Sequence, residues 1–152
     1  MHIKRRGKPY KLPYKMCIDA VKFYGKYLLG PRLYEKINLE LEFESLKRQP
    51  FFGYCECLDE EIRPKDFRIV IHNKLTKVET LVSIAHEMVH LKQYAKDEVR
   101  DLARSNHVRF RNEYIDTDKV DYWEFPWEIE AHGREKGLYY KFLEECENNG
   151  IR

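Results

Sequence analysis

The chain reads as an α+β protein, and three observations lead there. Apolar residues recur at helical spacing over 14–29, through 77–94, and again from Pro126 to about Glu147. Between the first two stretches, three short segments carry the apolar-polar alternation or β-rich composition of strands. Proline and glycine punctuate the boundaries at Gly30-Pro31, Gln49-Pro50 and Asn149-Gly150. At 152 residues the chain is long enough for a real core and short enough for one domain. A basic flexible arm over 1–13 and a single domain over 14–148 are therefore expected.

The elements follow in order. Lys4, Arg5, Arg6, Lys8 and Lys11 make the arm basic, and Pro9 and Pro13 resist regular structure. Such an arm is a solvated terminus or a weak nucleic-acid contact. Cys17, Ile18, Val21, Tyr24 and Leu28 mark the first helix, and a short helical turn is expected around 32–36. Ile37 to Glu44 alternates strictly, so it is a strand with one wet face. Phe51–Leu58 is a second strand, and Phe67–His72 a third, with Phe67, Ile69 and Ile71 on one face. The three are expected to form a mostly antiparallel sheet. Thr76-Lys-Val-Glu79 is a capping box that opens the next helix. Val78, Leu81, Val82, Ile84, Ala85, Met88, Val89 and Leu91 then point in nearly all directions, as in a buried helix.

Residues 95–124 are charged and aromatic, with no sustained period beyond Val108–Tyr114. That segment is a short strand or an ordered loop, and a span this long in a compact domain is more often functional than idle. Arg100, Arg104, Arg109 and Arg111 read mostly as a solvated face, with contact to a substrate as the alternative. The last helix opens at Pro126, a good first helical residue.

Composition excludes several classes. The 28 basic and 26 acidic residues leave a formal charge of +2, which demands no acidic partner. No apolar run approaches the roughly 20 residues of a membrane span, and no apolar core follows the first charged residues as in a secretion signal. A cytoplasmic protein is expected. Cys17, Cys55, Cys57 and Cys146 contain no CxxC pair, so they read as reduced thiols and not as a zinc ribbon.

One motif carries chemistry: His86-Glu87-Met88-Val89-His90, an HExxH. Positions four apart lie on one face of a helix, so His86 and His90 can aim two imidazole nitrogens at one ion. Glu87 is turned about 100° from His86 and can instead act as base on a metal-held water. A catalytic zinc takes three protein ligands and keeps one position open. The third is sought among Glu128, Glu130, His132 and His107. Glu130, Gly133 and Gly137 lie along one stripe, and glycines there would let the last helix press close to a neighbour. That favours Glu130.

These residues carry a family resemblance. Gly53-Tyr-Cys, Arg63-Pro-Lys-Asp-Phe-Arg-Ile-Val-Ile-His and His86-Glu-Met-Val-His-Leu-Lys-Gln resemble the SprT-like metallopeptidases, including small versions encoded by bacteriophages. Pro126-Trp-Glu-Ile-Glu-Ala131 is similar to the Glu-x-Glu-Ala segment of ImmA/IrrE-type peptidases, where the Glu before Ala is the third zinc ligand; here it falls on Glu130. The resemblance spans about 14–146. It implies a minimal zincin of the gluzincin kind, with the ligand-bearing helix last. SprT-like proteins commonly take a third histidine, which would make His107 the runner-up.

The expected function is a zinc-dependent peptidase with a protein or peptide substrate. Zn²⁺ would sit on His86, His90 and Glu130, with Glu87 as general base. Tyr122 is the candidate oxyanion donor, with Tyr114 behind it. The Phe67–His72 strand would be the edge to which a peptide adds. Two alternatives stand beside this: a catalytically silent interaction module, such as an inhibitor of host machinery, and a nucleic-acid-associated protease guided by the basic arm. If phage-encoded, the chain would act in the host cytoplasm.

Overall fold

A computed structural model of the chain describes residues 1–46, 52–102 and 105–150. The expected break at Gln49-Pro50, the strand start at Phe51, and Arg104 lie outside the described residues. Within them the protein is α+β, with four α-helices, a mixed sheet and a small antiparallel sheet.

The mixed sheet has four strands, where three were expected. They are β1 (His2–Gly7), β2 (Asn38–Glu44), β3 (Gly53–Cys57) and β4 (Asp66–His72), in the spatial order β1-β2-β4-β3. β1 runs parallel to β2 and β2 parallel to β4; β3 alone is antiparallel, on β4. The expectation of a mostly antiparallel sheet is thus corrected. Helical segments intervene between β1 and β2, which permits the parallel crossover. β3 is set outside β4, so β2 and β4 meet as parallel neighbours.

The basic arm is corrected as well: most of it is β1. It buries almost nothing of its own, and what orders it is the β2 backbone, with Ile3 opposite Leu39 and Arg5 opposite Leu41. Its charges meet opposite charges across the ladder, Arg6 with Glu42 at 3.4 Å and Lys4 with Glu40 at 4.0 Å. Gly7 ends the strand at φ 71°, and a Cβ there would run into the Phe43 carbonyl.

The alternation of β2 and β4 sets the two faces of the sheet. Leu39, Leu41, Phe43, Phe67, Ile69 and Ile71 are buried against the helices. On the other face Arg68 lies between Glu40 at 3.2 Å and Glu56 at 2.8 Å. Helix α1 (Tyr14–Leu29) buries Cys17, Ala20, Val21 and Tyr24; the short α2 (Pro31–Tyr34) follows Gly30.

Helix α3 (Lys77–Ala95) starts at the expected capping box, with Glu79 N–H donating to Thr76 Oγ1 and Thr76 N–H donating to Glu79. It lies between the sheet and α4 (Pro126–Asn148). The inner row of α4 is Glu128, Ala131, Leu138, Phe142 and Cys146. Gly133 and Gly137 are exposed, and a Cβ on either would meet nothing within 4 Å, so they mediate no close approach.

Between α3 and α4 the chain forms the small sheet: β5 (Val99–Asp101), β6 (His107–Phe110) and β7 (Glu113–Asp116), followed by a 3-10 turn at Tyr122–Glu124. Arg100 and Arg109 both bind Asp97, so they brace this sheet's entry and are not aimed at a substrate. No described helix is long and apolar enough to cross a membrane.

Candidate metal centre

The site lies where the middle of α3 faces the first turns of α4. His86 and His90 share one face of α3, as their spacing requires, and their Nε2 atoms stand 3.0 Å apart. Glu128, at the start of α4, straddles them: Oε2 is 3.4 Å from His86 Nε2, and Oε1 is 3.4 Å from His90 Nε2. Tetrahedral ligands about 2.0–2.1 Å from a zinc ion lie about 3.3 Å from one another. The three residues therefore already have the mutual spacing of a metal's ligand set, and this cluster could hold a metal ion.

Glu130, the expected third ligand, is elsewhere. Residues two apart on a helix differ by about 200° in direction, so Glu128 and Glu130 cannot both face α3's histidines. Glu130 instead accepts from Lys92 Nζ at 2.7 Å, Gln93 Nε2 at 3.1 Å and Arg134 at 3.2 Å, with Arg111 at 3.7 Å. Its carboxylate is committed to cations. His107 is exposed on β6 and does not border the site, so it is not a ligand here either. The missed signal was the apolar row of α4: Ala131, Leu138, Phe142 and Cys146 project back onto Glu128 and not onto Glu130.

Each histidine is held from behind. Glu135, two turns after Glu128, lies 2.8 Å from His86 Nδ1. Gln93 Oε1 lies 2.9 Å from His90 Nδ1, and the Gln93 amide donates to the Trp127 carbonyl and to Glu130. Such partners direct Nε2 toward the shared point. Glu130 thus acts on the site at a distance, by fixing the fully buried Gln93. His132 packs against His86 at a tilt, with ring centroids 4.5 Å apart, and its Nδ1 is 3.3 Å from Glu135. His86, His132 and Glu135 also bring three ligand atoms together, but they share His86 with the first trio.

Electrostatics agree with a cation-seeking centre. Burial would lower the His86 pKa, but the carboxylates of Glu128, Glu135 and Glu87 outweigh it and raise it to about 10. Burial would lower His90 too, but Glu128 and Glu87 outweigh it and raise it. Burial would raise Glu128, yet its bonds to both histidines hold it far below the usual carboxylate range. Glu87 is only 5% exposed, and burial pushes its carboxyl upward, toward a stronger base. It sits under β3, its Oε1 about 3.3 Å from where a Cβ on Gly53 would be.

Tyr122 borders the same cavity, and its hydroxyl donates to Glu128 Oε2 at 2.7 Å. In this structure the hydroxyl supports Glu128. Tyr114 is exposed on β7 and away from the cavity. The cavity measures about 890 Å³ and is bounded by α3, α4, the 3-10 turn and β3. β4 is paired on both sides and presents no free edge, which corrects the expected docking strand; β3 is the sheet's outer strand here.

No family model matches the chain, and no curated protein or solved structure matches it.

Proposed function

We propose that this protein is a zinc-dependent peptidase of the zincin kind. The observation that carries the reading is the convergence of His86, His90 and Glu128 at metal-ligand spacing, with the buried Glu87 beside them on one cavity. Two imidazoles and a carboxylate suit zinc by donor type. Zinc held there supplies a bound water of lowered pKa and a Lewis acid for a substrate carbonyl.

The chain's own residues do the rest. Glu87, its basicity raised by burial, takes the proton of the attacking water and passes a proton to the leaving amine. Glu135 and Gln93 keep both imidazoles oriented, and Tyr122 holds the Glu128 carboxylate. The outer edge of β3, from Gly53 to Cys55, borders the cavity, so an extended peptide can add to it by main-chain hydrogen bonds. An intact, buried Glu87 favours turnover over a silent interaction module, which needs no base. The nucleic-acid reading keeps little support, because Lys4 and Arg6 face Glu40 and Glu42.

The test is zinc content and casein or peptide cleavage for wild type and Glu87→Gln. Bound zinc in both, with cleavage only by wild type, is the expected result. Bound zinc with no cleavage by wild type on any substrate overturns the peptidase and leaves a binding module.

A further inference from the structure

Two adjacent rows of α3 floor the cavity, one of them Glu79, Ser83 and Glu87. In the other, Val78, Val82, His86, His90 and Tyr94 follow one another at intervals of four residues, and all five border the cavity. At about 1.5 Å per residue, Val82 lies about 6 Å from His86 along the axis, and Val78 about 12 Å. Side chains on one face of an extended chain recur about every 6.6–6.8 Å. An extended peptide running along this row therefore places alternate residues nearly turn for turn over it.

That end of the floor is apolar. Phe52, on the segment leading into β3, borders the same cavity and is 50% exposed, and Val78 is 51% exposed. Exposed apolar surface joined to a candidate catalytic centre is where a substrate side chain gains most by burial. Glu79 also borders this end, but its carboxylate is occupied by Thr76 N–H and Oγ1–H. Ser83 is almost buried, and Lys136 stands on the α4 side.

We propose that Val78, Val82 and Phe52 determine specificity by selecting large apolar side chains at two alternate positions on one side of the scissile bond. The substrate class is then an extended, apolar segment of a protein, of the kind exposed when a chain is unfolded or flexible. The inference rests on the peptidase reading, and it names what that site takes.

The experiment profiles a peptide library with zinc-loaded wild type, Val78→Glu and Val82→Glu. Wild type should prefer Leu, Ile, Met or Phe over Asp, Ser or Lys at two positions, each by about tenfold or more in kcat/KM. Val82→Glu should turn the position nearer the bond toward Lys and Arg, and Val78→Glu the position two residues further out. A switch of preference is a gain that misfolding cannot imitate, and Val78 is exposed enough to change without disturbing the core. Cleavage without apolar preference, or preferences that neither variant moves, overturns the inference and leaves the peptidase standing. If zinc-loaded wild type cuts nothing, the peptidase fails instead. Fluorescence anisotropy with a labelled apolar-x-apolar peptide then decides whether the groove's recognition survives. Binding to Glu87→Gln that Val78→Glu weakens about tenfold upholds it, and no binding, or binding Val78→Glu leaves unchanged, overturns it too.

Discussion

Glu128 and Glu130 stand two residues apart in the first turns of one helix, and their surroundings are opposite. Glu128 faces two imidazole nitrogens and a tyrosine hydroxyl. Glu130 faces Lys92, Gln93, Arg134 and Arg111. A carboxylate already matched by ammonium and guanidinium groups has no charge left to offer a metal. One whose charged neighbours are imidazoles, which lose their protons when they take a metal, keeps its charge for the cation. The difference comes from the helix alone, which turns about 200° in two residues.

The largest expected effect breaks this comparison directly. Glu128→Ala removes a ligand, so zinc affinity should fall by more than the roughly 10–100-fold typical of outer partners, and peptide cleavage should disappear. Glu130→Ala should keep stoichiometric zinc. Atomic emission on both variants after dialysis against a weak chelator checks this; loss of zinc from Glu130→Ala with zinc retained by Glu128→Ala would reverse the assignment.

Glu130 should show its role in stability instead. Lys92 is 5% exposed and is shared between Glu130 at 2.7 Å and Glu98 at 2.5 Å. Glu130→Gln leaves Lys92 with Glu98, so a loss of about 1–3 kcal/mol in urea unfolding is expected, less than for an orphaned buried charge. Burial would raise the Glu130 pKa, but Lys92, Gln93 and Arg111 together hold it below 4.5. A carboxyl depressed in the folded state stabilises above its unfolded pKa and loses that contribution as pH falls through the folded value. The gap between wild type and Glu130→Gln should therefore be full at pH 6–7 and close below about pH 4.5. A gap unchanged down to pH 3 would mean that the ion pair contributes nothing.

Legibility in the sequence follows the same line. HExxH fixes its two histidines by local geometry, and the Thr76–Glu79 capping box and the Tyr14–Leu29 helix are equally local; all stand where expected. The strict alternation of Ile37–Glu44 located β2 for the same reason. What failed needed partners distant in sequence. β1 has no apolar period because its order comes from the β2 backbone 36 residues away, as the pairing of His2 with Asn38 shows. The small sheet is held by arginines on Asp97, and such pairs leave no periodic trace. The third carboxylate was missed because two exposed glycines were read as a contact face while the apolar row of α4 pointed to Glu128.

A smaller effect separates holding a ligand's orientation from being a ligand. Glu135 touches His86 only through Nδ1, at 2.8 Å. Glu135→Ala should weaken zinc binding by about 10–100-fold and leave activity recoverable by added zinc, whereas Glu128→Ala should not recover. Competition with a fluorescent chelator measures the first and a zinc titration of activity the second. Equal loss in both variants, with no recovery, would mean that Glu135 ligates through the His86–His132–Glu135 trio instead.

Tyr122 gives the finest distinction. Burial, and then its bond to Glu128, raises the phenol pKa, so the hydroxyl keeps its proton at any working pH and donates it to Oε2. If that donation serves the ligand, Tyr122→Phe should weaken zinc binding by about tenfold, the low end for such partners, because both histidines still align Glu128. With zinc saturating, kcat should then stay near that of wild type. If instead the hydroxyl turns to the developing oxyanion once substrate is bound, zinc affinity should hold and kcat should fall by about 10²–10³. Measuring kcat for Tyr122→Phe across a zinc titration separates the two, since only the first loss is repaired by more metal. The same titration tests the asymmetry of α4: support for Glu128 by Tyr122 matters only if the metal rests on residue 128.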